Sequence, residues 1–115
     1  MRRIEQITSD PKQKHTIILE NGEQFSLEMF YSSQQRGWFI TDLEHQGFSI
    51  KGLRIVNSPN MLHQFRNQLP FGIGVFSANE REPYFEQDFE SGASTFFILN
   101  EDEVQEYARF ISGEV

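Results

Sequence analysis

Gly37-Trp38-Phe39-Ile40-Thr41-Asp42-Leu43, then Phe48-Ser49-Ile50-Lys51-Gly52-Leu53-Arg54-Ile55-Val56, Pro59-Asn60-Met61-Leu62 and Pro70-Phe71-Gly72-Ile73-Gly74: these four runs decide how the chain folds. In order they describe a strand ending in an Asp, a return strand reached through a turn at Gln46-Gly47, a short helical turn and a further strand. The alternation of the second run slips at Lys51-Gly52, because the large residues resume at Leu53, one position late. An extra residue at a Gly predicts a β-bulge there. Ser58 and Pro59 suit the N-cap and first position of a short helix carrying Met61, Leu62 and Phe65. In Phe71-Gly72-Ile73-Gly74-Val75-Phe76 the glycines leave one strand face nearly bare, which lets another backbone approach closely.

Outward toward the N-terminus, His15 to Glu20 and Gln24 to Tyr31 flank Asn21-Gly22. Asn-Gly between such runs predicts a hairpin with a type I′ turn. Phe25, Leu27 and Met29 share one face of its second strand, and a polar loop from Ser32 to Gly37 follows. Toward the C-terminus, Ser77 to Ser91 reads as a long charged loop carrying Tyr84, Phe85 and Phe89. Thr95 to Leu99 forms the last strand. Asn100 then caps a helix with apolar positions Val104, Tyr107, Ala108 and Ile111, and Glu103 completes a capping box.

About six or seven short strands, one short helix and a C-terminal helix make the chain mainly β, a small antiparallel β-sandwich or barrel. With 115 residues, the economical organisation is an N-terminal arm, residues 1–14, and one β-rich domain, residues 15–115, ending in the helix. Twelve Phe residues supply core volume in a chain otherwise poor in aliphatics.

The net charge of −7 opposes a role in binding free nucleic acid, which needs clustered Lys and Arg. The same sign suits a pore wall that passes DNA without holding it. With no Cys, disulfides and thiolate metal sites are excluded. No apolar run follows Arg2-Arg3 as a secretion signal would require, and none reaches transmembrane length, so no membrane partner and synthesis in a cytoplasm are expected.

Motifs for chemistry are missing. His15, His45 and His63 have no helical ligand partner, and no His-Glu-x-x-His pattern, P-loop or nucleophile elbow occurs. Glu101, Asp102, Glu103 and Glu106 are explained by the dipole at a helix start, and lack the spacing of a calcium loop. Glu80, Glu82, Glu86, Asp88 and Glu90 read as a solvated loop or a contact surface. No catalytic, cofactor or metal residue is assigned. Trp38 with Asp42 is the one pairing that suggests a ligand pocket, and a lone Trp on a strand more often belongs to a core.

The first hairpin, the Trp38 strand ending in Asp42, Gly52 before an apolar strand, Met61-Leu62 in the short helix and the Gly72 strand together resemble the central baseplate plug family of contractile-tailed, cyanophage-type bacteriophages. The resemblance covers roughly residues 15–103. It implies a structural subunit of the virion tail, made in the host cytoplasm, near the junction of tail tube, hub and spike. Its partners would be those proteins and further copies in a homo-oligomeric ring, it would act by assembly, and it would need no cofactor. No family catalytic residue exists to carry over. Tyr84, Phe85 and Phe89 are the candidate interface anchors, since interface energy concentrates in large aromatics. Arg2 and Arg3, with Lys12 and Lys14, make the arm basic on an acidic chain, so the arm is a second candidate contact. The alternative from the residues alone is a small-ligand or carbohydrate-binding β-module using Trp38; an enzyme with no recognisable motif is the third reading.

Overall fold

The structure is a computed structural model that describes residues 1–78 and 81–113. The described residues hold eight strands in two antiparallel sheets, β1 (Arg2–Ile4), β2 (Lys12–Ile18), β3 (Gln24–Ser32), β4 (Gly37–His45), β5 (Phe48–Ile50), β6 (Leu53–Arg54), β7 (Gly72–Ser77) and β8 (Ser94–Leu99). One sheet runs β1-β8-β7; the other runs β2-β3-β4-β5, with β6 also on β4. The expected sandwich is therefore found, and among the described residues the sheets do not close into a barrel. A 3-10 turn spans His63–Phe65, and the α-helices α1 (Asp88–Ser91) and α2 (Glu101–Ser112) follow.

Residues of both sheets share one core. Phe25, Leu27 and Met29 of β3 meet Trp38, Ile40 and Leu43 of β4 and Ile73, Val75, Phe96 and Ile98 of the smaller sheet, all buried. Phe25 and Phe71 stack at 4.2 Å between ring centres and tie the two sheets face to face. Each such ring contributes a large buried apolar area, which offsets the scarcity of aliphatics.

The first hairpin turn differs in type from expectation. Gly22 N–H bonds Leu19 O at 3.0 Å and Leu19 N–H bonds Glu23 O at 2.7 Å, so the first loop is Glu20-Asn21-Gly22 and only Gly22 has positive φ, at 87°. That is a type I turn closed by a left-handed Gly, the usual three-residue hairpin. Type I′ occurs instead between β4 and β5, where Gln46 and Gly47 both have positive φ, 47° and 88°.

The slip at Gly52 also resolves differently. Ile50 pairs with Leu43 and Leu53 with Ile40, so β4 and the β5–β6 strand stay in register across Lys51-Gly52. Both have large residues three positions apart, and their irregularities face each other. The mismatch falls on the other side of β4, against the regularly alternating β3: Glu28 pairs with Asp42 and Met29 with Ile40, leaving Thr41 as the bulged residue. Its hydroxyl donates to Glu28 O at 3.1 Å.

The bare face of β7 is used as expected. A Cβ on Gly72 would lie 2.6 Å from Asn60 Oδ1, and one on Gly74 would lie 3.0 Å from Pro59 O. Segment 58–61 runs along that strand, with Ser58 and Val75 exchanging backbone bonds at 2.9 Å and Met61 N–H reaching Ile73 O at 2.7 Å. Ser58 is thus a bridge residue and not a helix cap. Buried Asn60 takes the organising role, its Oδ1 accepting from Leu62 N–H at 3.0 Å and Ile73 N–H at 3.2 Å.

Candidate assembly surface

The segment following β7 is expected as a long charged loop with its aromatics pinned to the domain or to a partner, and its described part is tied down at nearly every step. Asp88 is buried, and its carboxylate accepts from Arg81 Nη1 at 3.0 Å, Arg81 Nη2 at 2.9 Å and Phe85 N–H at 2.9 Å. This bidentate, charge-assisted pair is the strong kind of polar contact. The Arg81 guanidinium also lies 4.8 Å from the centre of the Phe85 ring. Asn57 fixes the same segment from the strand side, donating its N–H to Glu82 Oε2 at 2.8 Å and its Nδ2 to Arg81 O at 3.1 Å. Glu80, grouped by sequence with this acidic run, lies outside the described residues.

Of the three aromatic anchors expected here, Tyr84 and Phe85 are exposed and Phe89 is buried. Helix α1 turns Phe89 inward, edge-on to Trp38 at 6.1 Å and to Phe96 at 5.9 Å. It is therefore a core residue whose surface is already used. Tyr84 and Phe85 present their rings outward while their backbone carbonyls face the domain, accepting from Tyr31 Oη at 2.5 Å and from Trp38 Nε1 at 3.3 Å. Two aromatic side chains thus stand on a rigid mount, the arrangement in which little ordering entropy opposes binding.

Trp38 has no exposed surface, so its ring is not available to stack on a sugar. Arg2 and Arg3 are exposed, but the segment bearing them does not hang free. Arg2, Arg3 and Ile4 pair with Ile98, Phe97 and Phe96 of β8, Ile7 is buried in the core, and Lys12 begins β2. Ile4 and Ile7 anchor a stretch that is otherwise polar, and the polar majority is what reads as an arm.

A second exposed apolar group has no counterpart among the expected site residues. Phe76 of β7 and Tyr107 and Phe110 of α2 line a groove of about 320 Å³ with Pro59 and Leu99. The helical spacing of Val104, Tyr107, Ala108 and Ile111 suggests a core-facing stripe, yet only Val104 is buried and Phe110 and Ile111 are exposed. The signal in the sequence is the additional apolar residue, Phe110, outside that stripe.

The titratable groups serve the fold. Asn100 and Glu103 cap α2 reciprocally, Glu103 N–H to Asn100 Oδ1 at 2.9 Å and Asn100 N–H to Glu103 Oε1 at 3.0 Å. Partial burial pushes the Glu103 carboxyl up, but the Asn100 N–H and the Met1 ammonium outweigh it and hold the group below its ordinary range. Burial lowers His15, and burial with the nearby Arg66 charge lowers His63. His45 is buried against Phe71 and its Nε2 is 2.8 Å from Glu23 Oε2. Among the described residues no three His, Asp or Glu side chains gather as a metal set, and no helix is long and apolar enough to cross a membrane.

Residues 1–103 match the model of one protein family, described as the cyanophage baseplate plug Pam3 gp18. No curated protein matches the chain.

Proposed function

The chain belongs to the cyanophage baseplate plug family, whose members are structural parts of a phage tail baseplate, and from this premise we propose that it acts by assembly, using Tyr84 and Phe85 as anchors in contacts with hub, tube or spike proteins. The observation that carries this is the rigid mounting of two exposed aromatics by the Arg81–Asp88 pair. A monomer stable alone gains nothing from holding such rings outward, whereas an interface does. The groove between β7 and α2 offers a second apolar contact, so each subunit can touch two neighbours, as a homo-oligomeric ring requires. The net charge of −7 suits a subunit bordering the path of DNA, because a wall of the same sign does not retain it. In this reading the protein is made in the host cytoplasm, performs no catalysis and needs no cofactor.

The test is the double variant Tyr84→Ser/Phe85→Ser, complemented into phage lacking the gene. Both rings are about half exposed and the Arg81–Phe85 stacking is lost with them, so the purified variant should stay folded with a melting temperature only a few degrees, about 4–8 °C, lower. Loss of two anchors worth about 2 kcal/mol each should remove it from virions, read by quantitative mass spectrometry of purified particles. Wild-type incorporation of a folded variant would refute this loop as the assembly surface.

A further inference from the structure

Strand β2 ends the larger sheet, and the direction of its backbone groups follows from its neighbours. Leu19 N–H bonds Glu23 O and Tyr31 N–H bonds Pro11 O, so odd-numbered residues of this strand turn their N–H and C=O toward β3. Lys14, Thr16 and Ile18 therefore turn theirs the other way, off the sheet edge. Beyond that edge lies β1, the outer strand of the smaller sheet. Gly72, Gly74 and Phe76 face β8 while Ile73 and Val75 bond segment 58–61; the alternation continued across β8 turns Arg2 and Ile4 toward β8 and Arg3 outward.

Two strand edges thus confront each other across a cleft of about 310 Å³ whose lining includes Arg2, Arg3, Ile4, Glu5, Thr16 and Ile18. They do not pair. Among the described residues, the one side chain that hydrogen-bonds across the seam is Arg2, whose guanidinium donates to Ile18 O. An unpaired edge is normally hazardous and is guarded by charge. Here the guard is mainly basic: Lys12 and Lys14 stand exposed on β2, and Arg2 and Arg3 on β1, with Glu5, 3.8 Å from Arg3, the one acid among the described residues of the cleft lining. The chain is otherwise acidic, so this is a concentration of cations and not a general property of its surface.

We propose that the β1–β2 seam accepts an extended, acidic segment of a neighbouring protein as an added strand. Backbone pairing with Lys14 and Thr16 gives affinity, and carboxylates at alternate positions opposite Lys12 and Lys14 give specificity. The charge pattern selects the occupant. A second copy offering the same edge would set Lys12 and Lys14 against lysines, which cross-strand pairing disfavours, whereas an acidic strand is drawn in and held. The inference rests on the assembly reading above for where the neighbour is found, and uses a different face from Tyr84 and Phe85.

The test places the photocrosslinker p-benzoylphenylalanine at Thr16, with Glu44 on the exposed face of β4 as control position. After irradiation, this chain is recovered from purified particles and from infected-cell lysate, and the joined peptide is sequenced. The expected result is a link from position 16, absent from position 44, to a segment of another protein with alternating carboxylates. Lys12→Glu/Lys14→Glu should reduce that link at least about tenfold, while Lys12→Arg/Lys14→Arg retains it. A link to a second copy of this chain, a link to a segment without that pattern, no link from either source, or a yield indifferent to charge reversal would each overturn the proposal. If the chain is absent from particles but the acidic link forms in lysate, the baseplate location fails and the strand-accepting seam stands.

Discussion

Replacing Asp88 by Ala removes the one group that holds Arg81 and the Phe85 backbone together. Asp88 is 3% exposed, and its carboxylate accepts three hydrogen bonds, two of them from a guanidinium. Breaking a fully buried ion pair costs about 3–5 kcal/mol because the partner is stranded. Arg81 is not stranded, since its side chain is 36% exposed and water can take over part of its solvation. The expected cost is therefore about 2–4 kcal/mol, between a charged hydrogen bond and a fully buried pair. For a chain of this size that corresponds to a fall in melting temperature of about 8–16 °C. The chain has one Trp, and its Nε1 bonds Phe85 O, so it reports on this segment directly. Chemical unfolding followed by Trp38 emission should show both a lower midpoint and a red-shifted native baseline, as the indole loses its cover. Asp88→Asn keeps the volume but turns N–H groups or a single neutral oxygen toward Arg81, and should cost about 2 kcal/mol. Virion incorporation should fall even though Tyr84 and Phe85 are intact. Stability within about 0.5 kcal/mol of wild type, with unchanged Trp38 emission, would refute the claim that this pair fixes the aromatic mount.

Gly72→Ala would drive a methyl into Asn60 Oδ1 and disturb its two backbone bonds, costing about 2–3 kcal/mol. In Asn60→Ala the space already exists, so a double-mutant cycle by urea denaturation should be strongly non-additive; additive costs would contradict the close approach. Glu103 has a folded pKa below its ordinary value of 4.5, so its contribution is complete above that value and disappears as the pH falls through the lower folded one. Wild type should lose about 0.5–1 kcal/mol more than Glu103→Gln between pH 6 and pH 3, measured by urea denaturation, and parallel pH profiles would exclude this role for the capping box.

What could be read in advance followed the range of each signal. The alternation of Phe25, Leu27 and Met29, the Asn100–Glu103 cap and the bare Gly72–Gly74 face are local patterns, and each produced the structure it announced. Phe89 and Phe85 look alike in sequence, and only the fold, by bringing Trp38 and Phe96 to one of them, separates a core ring from a surface ring. Strand β1 was hidden because three residues with two arginines carry no strand periodicity; pairing with β8 creates it. Asn60 was equally silent, since its second partner, Ile73 N–H, arrives from another strand. At the aromatic mount, the acids of the loop read as solvated charge, and the meeting of Asp88 with Arg81 appears only when the segment folds back on itself.

The facing irregularities at Thr41 and at Lys51-Gly52 couple the lengths of two strands. Losing one residue from β4 alone would straighten its seam with β3 and throw the fault onto its seam with β5 and β6. Losing one residue from the return strand alone would leave the bulge against β3 in place and add a second fault on the seam of β4 with β5 and β6. Losing both would leave an uninterrupted ladder on each side, with every large side chain still pointing inward. Insertions and deletions in this hairpin are therefore expected to be inherited in pairs, and a lineage carrying one without the other would have to repack Leu43 or Leu53.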